Sequence, residues 1–132
     1  MIALVACDDR VYAVDVEADA LEEREPAPFT RARPVDAVPE WAGSHLVDVD
    51  AAGTTILLLL DRRPPLMVSH DAGVTWSERG GGLPRGRALA LGERPDDVLY
   101  AARNRLYVSS DGGRFWRSLA VELPEIRDIA WE

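Results

Sequence analysis

Short apolar runs separated by turn-forming residues recur along the whole chain. Runs of this length, bounded by Gly, Pro, Asp and Asn, predict β-strands, and no long stretch shows the spacing of an amphipathic helix. The pattern therefore predicts an all-β protein. The predicted strands are Ile2 to Cys7, Val11 to Val14, Leu21 to Arg24, Leu46 to Val49, Ile56 to Leu60, Leu66 to Ser69, Thr75 to Glu78, Ala88 to Leu91, Val98 to Ala102, Leu106 to Ser109, Phe115 to Leu119 and Ile126 to Trp131.

One turn motif occurs twice, at a spacing of about forty residues, and that spacing indicates a repeat architecture. A repeat of this length that contains four strand-like runs corresponds to one four-stranded blade of a β-propeller. The first copy contains Ser69, Asp71, Gly73, Thr75 and Trp76, and the second contains Ser109, Asp111, Gly113 and Trp116, with Phe115 at the threonine position.

The pattern S-x-D-x-G-x-T-W resembles the Asp-box, or BNR repeat, of sialidases, sorting receptors and photosystem II assembly factors. The resemblance implies a β-propeller, but it implies no particular activity because fold does not fix function. The residue types also suit a tight turn, since Asp71 and Asp111 can accept hydrogen bonds from backbone N–H groups ahead of them. Gly73 and Gly113 can adopt positive φ. We therefore expect both boxes to be structural turns.

Alignment of the chain on the two boxes predicts one domain, residues 1–132, with three blades. Blade 2 covers about 45–79 and blade 3 about 87–119. Blade 1 combines about 1–25, which supply three strands, with 126–131, which follow the pair Leu123 and Pro124 as a first strand should. Terminal strands that share one blade would hide the edges of both.

The blade count raises a question of stoichiometry, because propellers typically have four to eight blades. We predict an obligate homodimer that forms a six-bladed ring with twofold symmetry. In this ring, Ile126 to Trp131 of one chain would complete blade 1 of the other, so that the strand is exchanged. The alternative that the chain is a piece of a longer propeller stays open.

Composition narrows the class of protein. The formal net charge is −8, and the fifteen Lys and Arg residues are all arginine, so the balance argues against nucleic-acid binding, which depends on neutralising phosphates. Cys7 is the one cysteine and offers neither a disulfide nor a zinc pair. The apolar run Ile56 to Leu60 is too short to cross a bilayer. We expect a cytoplasmic protein with no metal, no cofactor and no membrane contact.

The candidate binding residues lie in the turns between the second and third strands of each blade, which share one face of the predicted propeller. Arginine pairs can grip a carboxylate or phosphate. The alternative interpretation is that these charges are solvated turns beside compensating aspartates. Trp41 ends the long insertion 25–44 and is either a stacking platform or a cap over the neighbouring blade. The candidate ligand-binding residues are Arg10, Trp41, Arg62, Arg63, Arg103 and Arg105.

These features predict a non-catalytic binding scaffold that recognises a protein partner or an anionic ligand through its loop face. The alternatives are a sugar-binding lectin and a glycosidase. The resemblance to sialidases would imply an arginine triad, an acidic acid/base and a tyrosine nucleophile, and these cannot be placed. Tyr12, Tyr100 and Tyr107 all fall in predicted strands, where packing explains them. We therefore predict no catalytic residues.

Overall fold

A computed structural model describes residues 1–27, 29 and 33–132. Within them the chain forms twelve β-strands and two short 3₁₀ helices, Val35–Ala37 and Glu40–His45. In this part of the chain, no helix is long and apolar enough to cross a membrane. The strands are β1 (Ile2–Cys7), β2 (Arg10–Asp15), β3 (Ala20–Arg24), β4 (Leu46–Ala52), β5 (Thr55–Leu60), β6 (Leu66–Ser69), β7 (Ser77–Arg79), β8 (Ala88–Leu91), β9 (Val98–Ala101), β10 (Leu106–Ser109), β11 (Arg117–Ser118) and β12 (Ile126–Trp131).

The described strands form three antiparallel four-stranded sheets, which confirms the predicted all-β architecture and the number of strands in each sheet. Sheet 1 has the order β12-β1-β2-β3, sheet 2 has the order β4-β5-β6-β7, and sheet 3 has the order β8-β9-β10-β11. Successive strands joined by tight turns pair as neighbours, as sequential antiparallel strands usually do. The three tyrosines lie in β2, β9 and β10, as predicted.

The last strand of sheet 1 comes from the same chain, so the predicted exchange of this strand between two chains is wrong for this structure. Residues 3 and 131, and residues 5 and 129, are paired neighbours of β1 and β12. The connection from β11 crosses from sheet 3 to sheet 1. At its end, the backbone N–H of Ile126 donates to the carbonyl of Arg103, which lies in the β9–β10 turn, at 2.7 Å. Because that connection reaches the free edge of β1, the chain completes its own sheet.

Apolar clusters fill two of the junctions between sheets. Val5, Leu106 and Ile129 belong to a cluster between sheets 1 and 3, and Leu57 and Tyr100 belong to a cluster between sheets 2 and 3. All five side chains are at least 98% buried, and burial of side chains of this size is the main favourable term in folding. The packing of sheet 3 against both neighbours therefore holds the three sheets together.

Two aspartates of β4 also tie sheet 2 to sheet 3. Asp48 accepts a hydrogen bond from the backbone N–H of Leu89 at 3.0 Å, and Asp50 accepts one from Leu91 at 2.9 Å. Asp48 also pairs with Arg33, whose guanidinium reaches Asp128 of β12 at 2.8 Å. Arg33 thus links β4 of sheet 2 to β12 of sheet 1. Among the described residues, no apolar cluster joins these two sheets.

The first box closes the turn from β6 to β7. Asp71 Oδ1 accepts a hydrogen bond from the Thr75 backbone N–H at 2.8 Å, and Oδ2 accepts one from the Thr75 hydroxyl at 2.6 Å. The Ser69 hydroxyl donates to Asp71 and accepts from the N–H of Gly73, which has a φ of 93°. The indole N–H of Trp76 donates to the Gly73 carbonyl. These bonds lower the pKa of Asp71 to about 2, with the Thr75 hydroxyl as the largest cause.

The second box repeats this arrangement, with a bond from the Arg114 backbone N–H in place of the bond from the threonine hydroxyl. Asp111 Oδ1 accepts hydrogen bonds from the backbone N–H groups of Arg114 and Phe115 and from the Ser109 hydroxyl. Phe115 has no hydroxyl to offer, so the pKa of Asp111 is lowered mainly by the backbone bond from Phe115. Both boxes use backbone groups that a strand would need, and β7 and β11 therefore begin two residues later than predicted, at Ser77 and Arg117.

Candidate functional site

The turns β1–β2, β5–β6 and β9–β10 are each linked by an ion pair to a residue in or shortly before the first strand of a sheet. Arg127 Nε lies 2.8 Å from Asp8 Oδ1 in the first turn, and Arg85 Nε lies 3.0 Å from Asp61 Oδ1 in the second. Arg103 in the third turn lies 3.8 Å from Glu125. We call the surface made by these three turns the loop face. It is the end of the sheets away from the two boxes.

A cavity of about 280 Å³ opens on this face at sheet 2. Leu60, Pro65 and Leu83 provide its apolar base, and charged residues form its rim. Such a combination of an apolar base with a few convergent polar groups is typical of small-ligand sites. The charged residues are Asp61, Arg62, Arg63 and Arg85.

Two of the arginines in this cavity have no anion of their own. Neither Arg62 nor Arg63 forms an ion pair with a described residue, and both are exposed. Arg85 pairs with Asp61, but the two side chains are 82% and 51% exposed, and such exposed pairs contribute little. The cavity therefore presents guanidinium groups that an incoming carboxylate or phosphate can pair with.

A second group of arginines on the loop face surrounds a carboxylate of the chain itself. Glu125 lies 2.7 Å from Arg87, 3.6 Å from Arg127 and 3.8 Å from Arg103. The hydrogen bond from Arg87, followed by the charge of Arg127, lowers the pKa of Glu125. The chain thus supplies its own carboxylate here, and Arg103 is held in this cluster.

The remaining predicted residues are not gathered at the cavity. Arg10 lies 3.4 Å from Glu23 on sheet 1, and Arg105 donates to the Leu119 carbonyl at 3.4 Å. Both arginines therefore contact groups of the folded chain. The structure unites Arg62 and Arg63 in one cavity and leaves Arg10, Arg103 and Arg105 apart from it.

Trp41 lies in the second 3₁₀ helix and is 51% exposed. Its ring meets Trp76 edge to face, with centroids 5.6 Å apart. Trp76 packs on the face of sheet 2 that carries Val49 and Leu58. Trp41 therefore caps sheet 2, the sheet that follows it in the chain, whereas one interpretation of the sequence placed it over a neighbouring blade. Residues 28 and 30–32 of the predicted insertion lie outside the described residues.

Sequence reasoning missed Arg85, Arg87 and Arg127, although the repeat contains a signal for two of them. Arg87 follows Pro84 by three positions, and Arg127 follows Pro124 by three positions. The same offset in two repeats predicts the same place on the loop face. Arg87 directly precedes β8, and Arg127 is the second residue of β12. Arg85 has no counterpart, because Glu125 stands at its position in the next repeat.

In the described residues, no group of three or more His, Cys, Asp and Glu side chains could hold a metal ion. Cys7 is buried, and desolvation raises the pKa of its thiol, which disfavours the reactive thiolate. Comparison of the chain with models of known protein families and with curated proteins finds a match to neither.

Proposed function

We propose that the protein is a non-catalytic binding protein of the β-propeller type, and that its loop face takes a carboxylate or phosphate group of a partner molecule. The observation that carries the proposal is the pair Arg62 and Arg63, which line one cavity without an ion pair to any described residue. The chain as a whole has a charge of −8. Anion recognition would explain why an acidic protein places unpaired arginines together in one cavity.

The turn that carries these arginines is suited to binding. It follows β5, whose residues are all buried, and it precedes β6, so the guanidinium groups project from a rigid base. Functional residues often occupy such loops on a rigid scaffold. Arg85 enters the cavity from the next segment, so an anion there would contact two separate parts of the chain.

Replacement of Arg62 and Arg63 together by glutamine is expected to weaken binding of an acetylated tetraglutamate amide about tenfold or more, because hydrogen bonds to charged groups are lost. Isothermal titration calorimetry at two salt concentrations measures the effect, and higher salt should weaken binding to the parent protein. Inorganic phosphate in a parallel titration distinguishes the two anion classes.

Arg10→Gln is the matched control, because Arg10 is also an exposed arginine but pairs with Glu23 outside the cavity. It should leave the affinity for the peptide unchanged. If the parent protein binds neither probe, or if both variants weaken binding equally, the assignment to this cavity is wrong.

We also infer that two chains associate into a six-bladed ring while each keeps β12 in its own sheet. Support comes from the blade count, since three blades are fewer than a propeller typically contains. Further support comes from Leu21, Val35 and Val47, which are 39%, 62% and 41% exposed, because apolar side chains at the surface can serve an interface.

Multi-angle light scattering at micromolar concentration is expected to give twice the chain mass of 14.5 kDa. Because β12 is not exchanged, dilution should dissociate the dimer into folded chains, and circular dichroism should keep its β-sheet signal. A mass of one chain at every concentration would remove the ring.

A further inference from the structure

A second cavity, of about 470 Å³, lies between sheets 1 and 3 beside the second box. It is at the opposite end of the sheets from the loop face, because the box turn joins the far ends of β10 and β11. Phe115, Trp116 and Trp131 line it together with Val16 and Val108. We call it the box cavity. Its volume falls in the range of small-ligand sites.

Phe115 is an unusual residue for its position. Its side chain is 80% exposed, so its apolar surface contributes little to the core. At the equivalent position of the first box, the Thr75 hydroxyl donates to the aspartate at 2.6 Å. Phe115 thus donates no side-chain hydrogen bond to Asp111, where the Arg114 backbone N–H supplies the third bond instead. The exposed ring adds little to the stability of the fold.

The lost hydroxyl also leaves an oxygen of Asp111 available. The hydrogen bonds that Asp111 accepts from described residues all reach Oδ1, and Oδ2 accepts none from them. In the first box the corresponding Oδ2 atom of Asp71 is the one that Thr75 occupies. Phe115 and Asp111 both line the box cavity, so an aromatic ring and a carboxylate with one oxygen free of protein donors border one space.

The two indoles present carbon surface to the cavity. The N–H of Trp116 donates to the Gly113 carbonyl at 2.9 Å, and the N–H of Trp131 donates to the Ala90 carbonyl at 3.2 Å. Asp97 and Glu17 add two further carboxylates to the lining, and these lie 3.6 Å from Arg94 and 2.7 Å from the N-terminal ammonium of Met1. Arg117 is held by a hydrogen bond to the Val16 carbonyl. Aromatic surface beside carboxylates favours a cation with a flat or apolar body.

We propose that the box cavity binds an arginine side chain of a partner protein, with its guanidinium stacked on Phe115 and paired with Asp111 Oδ2. Guanidinium is planar, stacks on aromatic faces and donates two parallel hydrogen bonds to a carboxylate. This site is separate from the arginine cavity of the loop face, so the two can be tested independently.

The test titrates acetyl-Gly-Arg-Gly-amide into the protein and follows the indole N–H signals of Trp116 and Trp131 by NMR. The same peptide with citrulline in place of arginine keeps the shape and removes the charge. We expect shifts with the arginine peptide and an at least tenfold weaker response with citrulline, because both cation–π attraction and the ion pair need the charge.

Phe115→Thr is the decisive variant, because it removes the ring and supplies the hydroxyl that would occupy Asp111 Oδ2. Binding should fall about tenfold, while the pKa of Asp111 falls towards that of Asp71, which shows that the box has formed. Val74→Ser removes an apolar side chain that is 79% exposed in the first box, and it should leave binding unchanged.

Several outcomes would overturn the proposal. They are the absence of any shift at millimolar arginine peptide, an equal response to the citrulline peptide, and binding that survives Phe115→Thr. A response to a neutral methyl glycoside without one to the arginine peptide would assign the cavity to sugars instead.

Discussion

Removal of residues 126–132 is expected to abolish cooperative unfolding of the protein, because β12 supplies core residues as well as an edge. Ile126 and Ile129 are fully buried in the cluster between sheets 1 and 3, and loss of each such side chain costs about 2–5 kcal/mol. Together these losses approach the whole stability of a typical domain, about 5–15 kcal/mol. Deletion also exposes the backbone groups of β1 as an open edge.

Urea titration followed by tryptophan fluorescence measures the effect, and Ile129→Ala provides a milder variant in case the deletion does not fold. This substitution should lower the free energy of unfolding by about 2–5 kcal/mol. Val47→Ala, at a β-strand residue that is 41% exposed, should change it by less than about 1 kcal/mol. An unchanged midpoint for the deletion would mean that β12 is not part of the folded core.

The strands were predictable because turn residues separate them and because two boxes fix the repeat. β1, β6, β8, β10 and β12 begin and end at the predicted residues. The end of β4 lies three residues beyond the predicted one, at Ala52. The starts of strands differ most at β7 and β11, where the aspartate of each box takes backbone N–H groups that a simple strand pattern assigns to the sheet. The residue types of such a turn can be recognised in the sequence, but the number of strand residues that the turn takes up cannot.

The partner of β12 could not be inferred in the same way. The repeat order shows that β1 lacks a neighbour and that residues 126–131 have none, but it does not show which copy of the strand fills the edge. That choice depends on whether the connection from β11 reaches sheet 1 of the same chain, and the pairing of β12 with β1 shows that it does. The path of such a connection is set by tertiary packing, which the order of strands along the sequence does not show.

The candidate site was only partly predictable for a related reason. The repeat places arginines in the turns of the loop face, but their partners are distant in the sequence. Glu125 pairs with Arg87 and Arg103, whereas Arg62 and Arg63 meet no described carboxylate. Whether an arginine is neutralised decides whether it can bind a ligand, and that depends on the packing of separate sheets.

Replacement of Tyr100 by alanine is expected to lower the free energy of unfolding by about 3–5 kcal/mol. The side chain is fully buried between sheets 2 and 3, and its ring meets those of Trp116 and Tyr107 at centroid distances of 5.7 and 6.1 Å. Its hydroxyl donates to the Pro84 carbonyl at 2.5 Å. Burial raises the pKa of Tyr100 well above its usual value, so the hydroxyl stays protonated and keeps this bond at neutral pH.

Tyr100→Phe separates the ring from the hydroxyl, because it preserves the packing and leaves the Pro84 carbonyl without its donor. It should lower the free energy of unfolding by about 1–3 kcal/mol, because a carbonyl loses its hydrogen-bond donor inside the protein. Tyr107→Phe alters a half-buried tyrosine of the same cluster and should cost less than Tyr100→Phe. Urea denaturation ranks the three variants, and a Tyr100→Phe protein that is as unstable as Tyr100→Ala would show that the hydrogen bond, rather than the ring, holds sheets 2 and 3 together.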